Sequence, residues 1–140
     1  MNDVSIALKI SGFDFDPKEI SKIVHLTPNS THIKGETFFI GPPKNRIPKI
    51  RETNYWEYRV NIVNNEVWIK EIVDQFIVEV IQEKKDEWNK IIRFVDMELY
   101  IRVQYDSLEG LDSYYFENKT LKLLNDLNIS IDIDQYGFRI

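Results

Sequence analysis

Four cationic side chains lie close together in a proline-rich stretch near the middle of the chain. They are Lys44, Arg46, Lys49 and Arg51, and no acidic residue interrupts them. Cations on a stiffened segment can bind a phosphate or a carboxylate-rich partner. They can equally keep a loop soluble and balance acidic residues elsewhere. Three prolines and a glycine between residues 41 and 51 predict a loop without a regular hydrogen-bond ladder.

A second candidate site is acidic and lies late in the chain. Its members are Glu109, Asp112, Glu117, Asp126, Asp132 and Asp134. The last two lie two positions apart in a predicted strand, so both side chains point to the same sheet face. Paired carboxylates can hold a hard cation or share acid–base work. Because the glycine and terminal glutamate of a calcium-binding loop are missing, a solvated strand face is the simpler explanation.

The histidines and the strand aromatics give weaker indications. His25 follows the first predicted helix and is expected to cap its C-terminus. His32 has no nucleophile or partner acid that the sequence can identify. Aromatic residues such as Trp56 and Tyr100 can stack on bases of single-stranded nucleic acid, but that mode also needs a cationic groove. The net charge of −5 disfavours it, and core packing or a protein interface is favoured.

Composition excludes several kinds of site and partner. The chain has no cysteine and two histidines, which rules out disulfides, thiolate chemistry and a histidine-rich metal site. The acidic balance predicts neither a nucleic-acid nor a membrane partner. At 140 residues and 43% hydrophobic content, a single domain spanning residues 1–140 is expected. The N-terminal stretch lacks the pattern of a signal peptide, so we expect a cytoplasmic location.

Hydrophobic spacing predicts the elements that position these residues. Alternation predicts strands at residues 4–10, 37–40, 55–63, 97–104 and 129–133, and a short edge strand at 113–117. Spacing by three and four predicts a short helix after Pro17 and another after Asn118, the latter with Leu121 facing inward. The longest periodic stretch, from Asn65 to Phe94, predicts one amphipathic helix of about eight turns.

A helix of that length cannot bury its apolar stripe alone, whereas strands with one apolar face provide a matching surface. We therefore predict an α+β fold, a two-layer sandwich with a mainly antiparallel sheet and helices on one face. The first elements follow the ferredoxin-like β-α-β-β-α-β order, and a further β-α-β element is added to them.

Several separated segments together resemble one protein family. They are Gly12 with Asp16-Pro17-Lys18-Glu19-Ile20, Leu26-Thr27-Pro28 with Lys34-Gly35-Glu36, Arg51 with Trp56, and Ile131-Asp132-Ile133-Asp134-Gln135-Tyr136. In order and spacing they are similar to the bacterial domain-of-unknown-function family 4279, over nearly the whole chain. The resemblance implies a small stand-alone protein without a settled activity, so no catalytic residue is carried over. It draws attention to Gly35, which is expected to form a turn that other residues resist, with Trp56 beneath it.

The sequence leaves three hypotheses open. The favoured one is a non-enzymatic protein-binding module, immunity-like or regulatory, with a basic partner attracted by its acidic charge. The second is a small-ligand-binding domain or enzyme with a pocket near the Lys34–Arg51 region. The third is a homodimer paired through the strand that ends at Phe138. No catalytic residue, metal or cofactor is predicted. The predicted binding residues are Lys34, Lys44, Arg46, Lys49, Arg51, Trp56, Asp132 and Asp134.

Overall fold

A computed structural model of the chain describes residues 2–105 and 113–137. The strands are β1 (Asn2–Ser11), β2 (Ser30–His32), β3 (Thr37–Ile40), β4 (Ile47–Ile50), β5 (Tyr55–Asn65), β6 (Asp96–Tyr105) and β7 (Ile129–Tyr136). The helices are α1 (Lys18–Val24), α2 (Ile69–Phe76), a π-helical segment (Ile77–Gln82), α3 (Lys85–Asn89) and α4 (Asn118–Asp126). Among these helices, none is long and apolar enough to cross a membrane.

The strands form a five-stranded sheet in the order β2-β5-β1-β6-β7 and a separate two-stranded sheet of β3 and β4. β1 lies at the centre and is antiparallel to both β5 and β6. β7 is parallel to β6, because α4 carries the chain back between them. The predicted α+β fold is therefore confirmed. The ferredoxin-like order is not confirmed, since β1 has two antiparallel neighbours and the parallel pair involves the last strand.

Alternation along the strands places the large apolar side chains on one face of the five-stranded sheet. In β1, Val4, Ile6, Leu8 and Ile10 are all almost completely buried. The buried residues of α1, α2, α3 and α4 belong to the same hydrophobic cluster as these strand residues. The helices thus form a second layer on that face. Across the described ranges, no helix covers the opposite face.

The single eight-turn helix predicted between Asn65 and Phe94 is wrong. α2 begins only at Ile69, the π-helical segment follows it directly, and α3 is a separate short helix. Trp68, which the periodicity places in the buried stripe, precedes the helix and is 66% exposed. The prediction that this stretch lies against a sheet is nevertheless correct.

The interruption has a physical cause in Trp88. A π-helical turn widens the backbone and leaves a carbonyl without its usual helical donor. The Trp88 Nε1–H donates to the carbonyl oxygen of Val80 at 2.8 Å, in a buried position. The same indole meets Trp56 edge-on, with ring centroids 5.9 Å apart and an interplanar angle of 76°. The break before α3 therefore lets Trp88 satisfy the Val80 carbonyl and pack beside Trp56 of β5 in the core.

Three further predictions of local structure are wrong. Residues 47–50 were expected in a loop, but they form β4, in which Pro48 stands opposite Phe39. Proline is tolerated there because each strand of a two-stranded sheet keeps one free edge. Residues 113–117 form no strand, and Leu121 of α4 is 44% exposed rather than directed inward. Of the other predicted features, Glu109, Asp112 and Phe138 lie outside the described residues.

Candidate functional site: the open face

The uncovered face of the five-stranded sheet, here called the open face, carries the polar positions of its strands. The register places these positions in rows across the sheet, so that Lys9 lies between Glu57 and Glu98. In the next row, Ala7 lies between Arg59 and Tyr100. The polar and aromatic side chains of the open face are Asp3, Ser5, Lys9, Ser11, Ser30, His32, Tyr55, Glu57, Arg59, Asn61, Asp96, Glu98, Tyr100, Arg102, Gln104, Ser130, Asp132, Asp134 and Tyr136.

A hydrogen-bonded cluster occupies the β5 side of the open face. Glu57 accepts from Tyr55 Oη at 2.6 Å, from Arg59 Nε at 2.9 Å and from Arg59 Nη2 at 3.1 Å. Arg59 Nη1 donates to Ser5 Oγ at 2.7 Å, and Ser5 Oγ donates to Asn61 Oδ1 at 2.7 Å. Positions two apart on a strand share a face, which is why Tyr55, Glu57 and Arg59 meet. The cluster joins β5 to β1.

The cluster changes the protonation of its members. The hydrogen bond from Arg59 lowers the pKa of Glu57, although partial burial acts in the opposite direction. The same pair raises the pKa of Arg59. Burial raises the pKa of Tyr55, and the hydrogen bond to Glu57 adds to that effect. At neutral pH the cluster is therefore an ion pair beside a neutral phenol. A carboxylate held by three donors is a weak base, so this arrangement positions side chains rather than moving protons.

Cations lie over tyrosine rings on the β6 side of the open face. Lys9 Nζ stands 3.8 Å from the centroid of the Tyr100 ring, and Arg59 Cζ stands 5.4 Å from it. Arg102 Cζ lies 5.1 Å from the centroid of the Tyr136 ring. These distances are those of cation–π contacts. Ala7 is fully buried although it belongs to the open face, which agrees with these long side chains lying across it.

Carboxylates outnumber cations on the open face. Tyr100 Oη donates to Asp134 Oδ2 at 2.7 Å, and this hydrogen bond raises the pKa of Tyr100 to about 12. Glu98 and Asp132 form no ion pair within the described part of the chain. The open face carries six carboxylates (Asp3, Glu57, Asp96, Glu98, Asp132 and Asp134) and three cations (Lys9, Arg59 and Arg102), which gives it a net charge of −3. The open face is thus acidic and rich in tyrosine.

An open depression marks one end of this face. Its volume is about 480 Å³, and its polar lining includes Ser5, Arg59, Asn61, Arg102 and Gln104. Arg59 is already engaged with Glu57, whereas Arg102 has no carboxylate within ion-pair distance among the described residues. The guanidinium of Arg102, which lies over the Tyr136 ring, and the carboxylate of Asp3 both line the depression.

The predicted basic segment forms a separate feature, here called the arm, which comprises residues 37–51. Every residue from 39 to 50 is exposed. Lys44 and Arg46 lie in its terminal loop and Lys49 lies on β4. Arg51 Cζ stacks 3.6 Å from the centroid of the Phe38 ring. No carboxylate pairs with these four cations within the described residues, so the arm carries its charge into solvent.

Lys34 lies at the base of the arm. Its backbone N–H donates to Asn54 Oδ1 at 2.7 Å, and Asn54 Nδ2 donates to the carbonyl of Phe13 at 3.0 Å. The Gly35 N–H donates to the carbonyl of Arg51 at 2.9 Å, closing the arm. Gly35 has a φ of +92°, which confirms the turn that was expected there. Asn54, which is only 8% exposed, thus ties the base of the arm to the loop after β1.

A second depression borders this base. It has a volume of about 690 Å³, and its charged lining residues are Asp14, Asp16, Lys34 and Glu52. It lies near the region in which the sequence predicted a pocket. Since three of these four groups are carboxylates, the depression suits a cationic ligand better than an anionic one.

The predicted binding residues do not form one site. The four cations lie on the arm, Lys34 lies at its base, and Asp132 and Asp134 lie on β7. The arm follows β2, which forms the sheet edge opposite to β7. Trp56 is fully buried, and its Nε1–H donates to Ser21 Oγ of α1 at 3.0 Å. It packs in the core between the two layers rather than under Gly35.

The late acidic residues are also divided between the two layers. Glu117 pairs with Lys70 at 3.6 Å, and Asp126 pairs with Lys122 at 3.0 Å. Of the four described members of this group, Asp132 and Asp134 lie on the open face. Within the described residues, no group of three histidine, aspartate or glutamate side chains could hold a metal ion.

The two histidines have structural surroundings. His25 occupies the C-terminal cap of α1 in a left-handed conformation, with φ of 56°, and its N–H donates to the carbonyl of Ser21. His32 stacks on Tyr55 with ring centroids 5.3 Å apart. Partial burial and the charge of Arg51 lower the pKa of His32.

Sequence reasoning missed the central residues of the open face. Lys9, Glu57, Arg59 and Arg102 alternate with apolar residues in three separate strands, so nothing in the sequence places them together. The available signal was that alternation leaves a line of polar residues along each of β1, β5 and β6. The strand order and the register are needed to show that these three lines lie on the same face of the sheet.

A protein-family model described as "Domain of unknown function (DUF4279)" matches residues 2–138. The chain belongs to this family. The match confirms the resemblance identified from separated segments, and it spans the open face and the arm alike. No curated protein and no solved structure matches the chain. The DUF4279 description assigns an activity to neither surface.

Proposed function

We propose that this chain is a non-enzymatic protein-binding module of the bacterial cytoplasm, regulatory or immunity-like, whose open face binds a basic protein partner. The observation that carries the proposal is an uncovered sheet face with a net charge of −3 and three tyrosines. A sheet face that serves only solvation needs neither the charge excess nor the aromatic rings.

The open face combines prearranged and uncommitted groups. The cluster around Glu57 holds its side chains in place with hydrogen bonds, so binding there costs little side-chain ordering. Glu98 and Asp132, in contrast, have no ion-pair partner among the described residues and can meet lysine or arginine side chains of a partner. Tyrosine supplies a large contact area at low entropic cost and is enriched among interface anchors. Excess negative charge increases the association rate with a basic protein.

Catalysis has less support at the same surface. Glu57, the most enclosed carboxylate, is the acceptor of three hydrogen bonds, and its lowered pKa makes it a poor general base. The phenols of Tyr55 and Tyr100 have raised pKa values, so they are not activated nucleophiles at neutral pH.

A peptide-selection experiment tests the proposal. The folded chain is immobilised and used to select from a random displayed peptide library, and selected peptides are titrated against variants. We expect lysine- and arginine-rich sequences whose affinity falls at least tenfold with Glu98→Gln plus Asp132→Asn. The control variant, Glu71→Gln plus Glu83→Gln, removes the same charge from exposed positions of the helical layer and should leave the affinity unchanged. Selection of no basic sequence, or equal losses in both variants, would reject the open face as the binding surface.

The depression of about 690 Å³ beside Lys34 supports a second candidate function, the binding of a small cationic ligand. Its lining includes three carboxylates, and Phe13 and Phe15 stack beside them with ring centroids 4.9 Å apart. Titration with a panel of primary and quaternary ammonium compounds, followed by NMR, tests this function. Shifts that are confined to the depression and disappear with Asp14→Asn plus Glu52→Gln would support it, and their absence across the panel would exclude it.

A further inference from the structure

Among the described residues, the hydrogen bonds that tie the arm to the rest of the chain lie at its base. Its apolar side chains are exposed to an unusual degree: Phe39 is 60% exposed, Ile47 is 55% exposed and Ile50 is 65% exposed. Two-stranded hairpins are marginally stable in water without a surface to pack on. The register places Phe39 opposite Pro48 on one side of the arm and Ile40 opposite Ile47 on the other, so both sides expose apolar groups. An arm of this composition suits a partner that offers both apolar contact and negative charge.

The body of this same chain has those properties. The arm carries four cations and no acid, so the remaining residues have a formal net charge of −9 in a chain of net charge −5. The acidic open face also carries Tyr55, Tyr100 and Tyr136, of which Tyr136 is 49% exposed and can pack against apolar side chains of the arm. The carboxylates of Glu98 and Asp132 complement the cations of its loop.

We propose that the open face of one copy of this chain binds the arm of a second copy, and that the two copies exchange arms reciprocally about a two-fold axis. The proposal rests on the proposed function, because it assigns a further basic occupant to the same face. It implies that dimerisation and partner binding compete, so that a basic partner would release the monomer.

The dimensions agree with this arrangement. Four residues of β3 span about 13 Å at 3.3 Å per residue. The strands β1, β6 and β7 cover two interstrand spacings, or about 10 Å. An arm can therefore lie across the part of the open face that carries Glu98 and Asp132. A reciprocal exchange forms two such contacts per dimer and closes the assembly.

Two alternative contacts between copies are electrostatically unfavourable. Pairing of two β7 edges in a central antiparallel register brings Asp132 or Asp134 of one copy opposite an aspartate of the other. Like charges directly opposite each other destabilise a strand pair. Pairing of two arms brings four cations against four cations. Of the three contacts compared, the one between arm and open face brings opposite charges together.

A charge-swap experiment on the full chain tests the inference by sedimentation equilibrium. The arm variant carries Lys44→Glu and Arg46→Glu, and the face variant carries Glu98→Lys and Asp132→Lys. We expect the wild type to dimerise with a Kd that weakens with added salt. Each variant alone should dimerise at least a hundredfold more weakly. An equimolar mixture of the two should form a heterodimer. In it, the acidic arm of the arm variant meets the basic face of the face variant, and the basic arm of the face variant meets the acidic face of the arm variant.

Several outcomes would overturn the inference. The first is a wild type that stays monomeric up to about 1 mM, a concentration at which a contact is worth roughly 4 kcal/mol. The second is a dimer that persists in both variants. The third is a mixture of the two variants that does not associate. A control with Glu71→Lys plus Glu83→Lys changes the same charge on the helical layer and should not alter the dimer. If the chain selects basic peptides but never dimerises, only this inference is refuted. If the chain dimerises but selects no basic peptide, the proposed basic protein partner is refuted instead.

Discussion

Replacement of Glu57 by glutamine tests the cluster that orders the open face. Glu57 and Arg59 form an ion pair at 2.9 Å, and their side chains are only 11% and 23% exposed. Glutamine removes the charge of Glu57 and turns an N–H group toward the guanidinium of Arg59. The guanidinium then remains half-buried beside a poorer hydrogen-bond partner. Hydrogen bonds to charged groups contribute about 1.5–3 kcal/mol. We therefore expect a loss of about 2 kcal/mol in the free energy of unfolding and a fall of about 4–8 °C in Tm.

The dependence of this loss on pH follows from the direction of the pKa shift. Glu57 has a folded pKa below its ordinary value of 4.5. Its contribution is therefore complete above that value and disappears as the pH falls through the lowered folded pKa. The stability difference between the wild type and Glu57→Gln should be constant from about pH 7 to about pH 5 and should shrink toward about pH 2.

Equilibrium urea denaturation of both proteins across this pH range provides the measurement. Glu71→Gln, on the exposed side of α2, serves as the charge-matched control and should change the unfolding free energy by less than about 0.5 kcal/mol. The reasoning would be refuted by a loss for Glu57→Gln no larger than that of the control. A loss that grows as the pH falls would refute the sign of the argument.

Two further substitutions test the helical layer and the end of β1. Trp88→Phe removes the N–H that satisfies the Val80 carbonyl, so we expect a loss of about 2–4 kcal/mol in urea denaturation. A similar loss for Trp68→Phe, at an exposed position, would show that the buried hydrogen bond is not the cause. Gly12→Ala should cost about 1 kcal/mol, because Gly12 has a φ of +69°. Its new Cβ would also meet the carboxyl of Asp96. If adding Asp96→Ala fully restores the free energy of unfolding, that contact and not the backbone conformation is the cause of the loss.

The strands were predictable because their pattern is local. In β1, apolar residues from Val4 to Ile10 alternate with polar ones, and the same rule identified β5, β6 and β7. In β1 and β6 one face lies in the core, so burial and sequence agree closely, whereas in β5 Glu57 is buried and in β7 Ile133 is 42% exposed. The two-layer architecture followed because such strands and amphipathic helices must cover one another.

The broken helix was not predictable from periodicity. Spacing by three and four continues past Gln82 and treats Trp88 as one more apolar position. The interruption depends on an indole N–H reaching the carbonyl of Val80 and on an aromatic contact with Trp56, which is distant in the sequence. Similarly, Pro48 could join a strand only because β4 has a free edge, and composition cannot show that edge.

The candidate site depended most on contacts between distant segments. The cations of the arm were visible in the sequence because they are neighbours along the chain. The cluster of Ser5, Glu57 and Arg59 was not visible, because residues more than fifty positions apart meet only when β5 pairs with β1.

Local spacing was therefore sufficient for the strand content, for the two-layer packing and for the position of the basic segment. Three features are determined by the tertiary structure: the parallel pairing of β7 with β6, the break between the π-helical segment and α3, and the acidic open face with its tyrosines. The physical reason is that alternation encodes which side of a strand is apolar, whereas strand order and register arise from packing of the whole molecule.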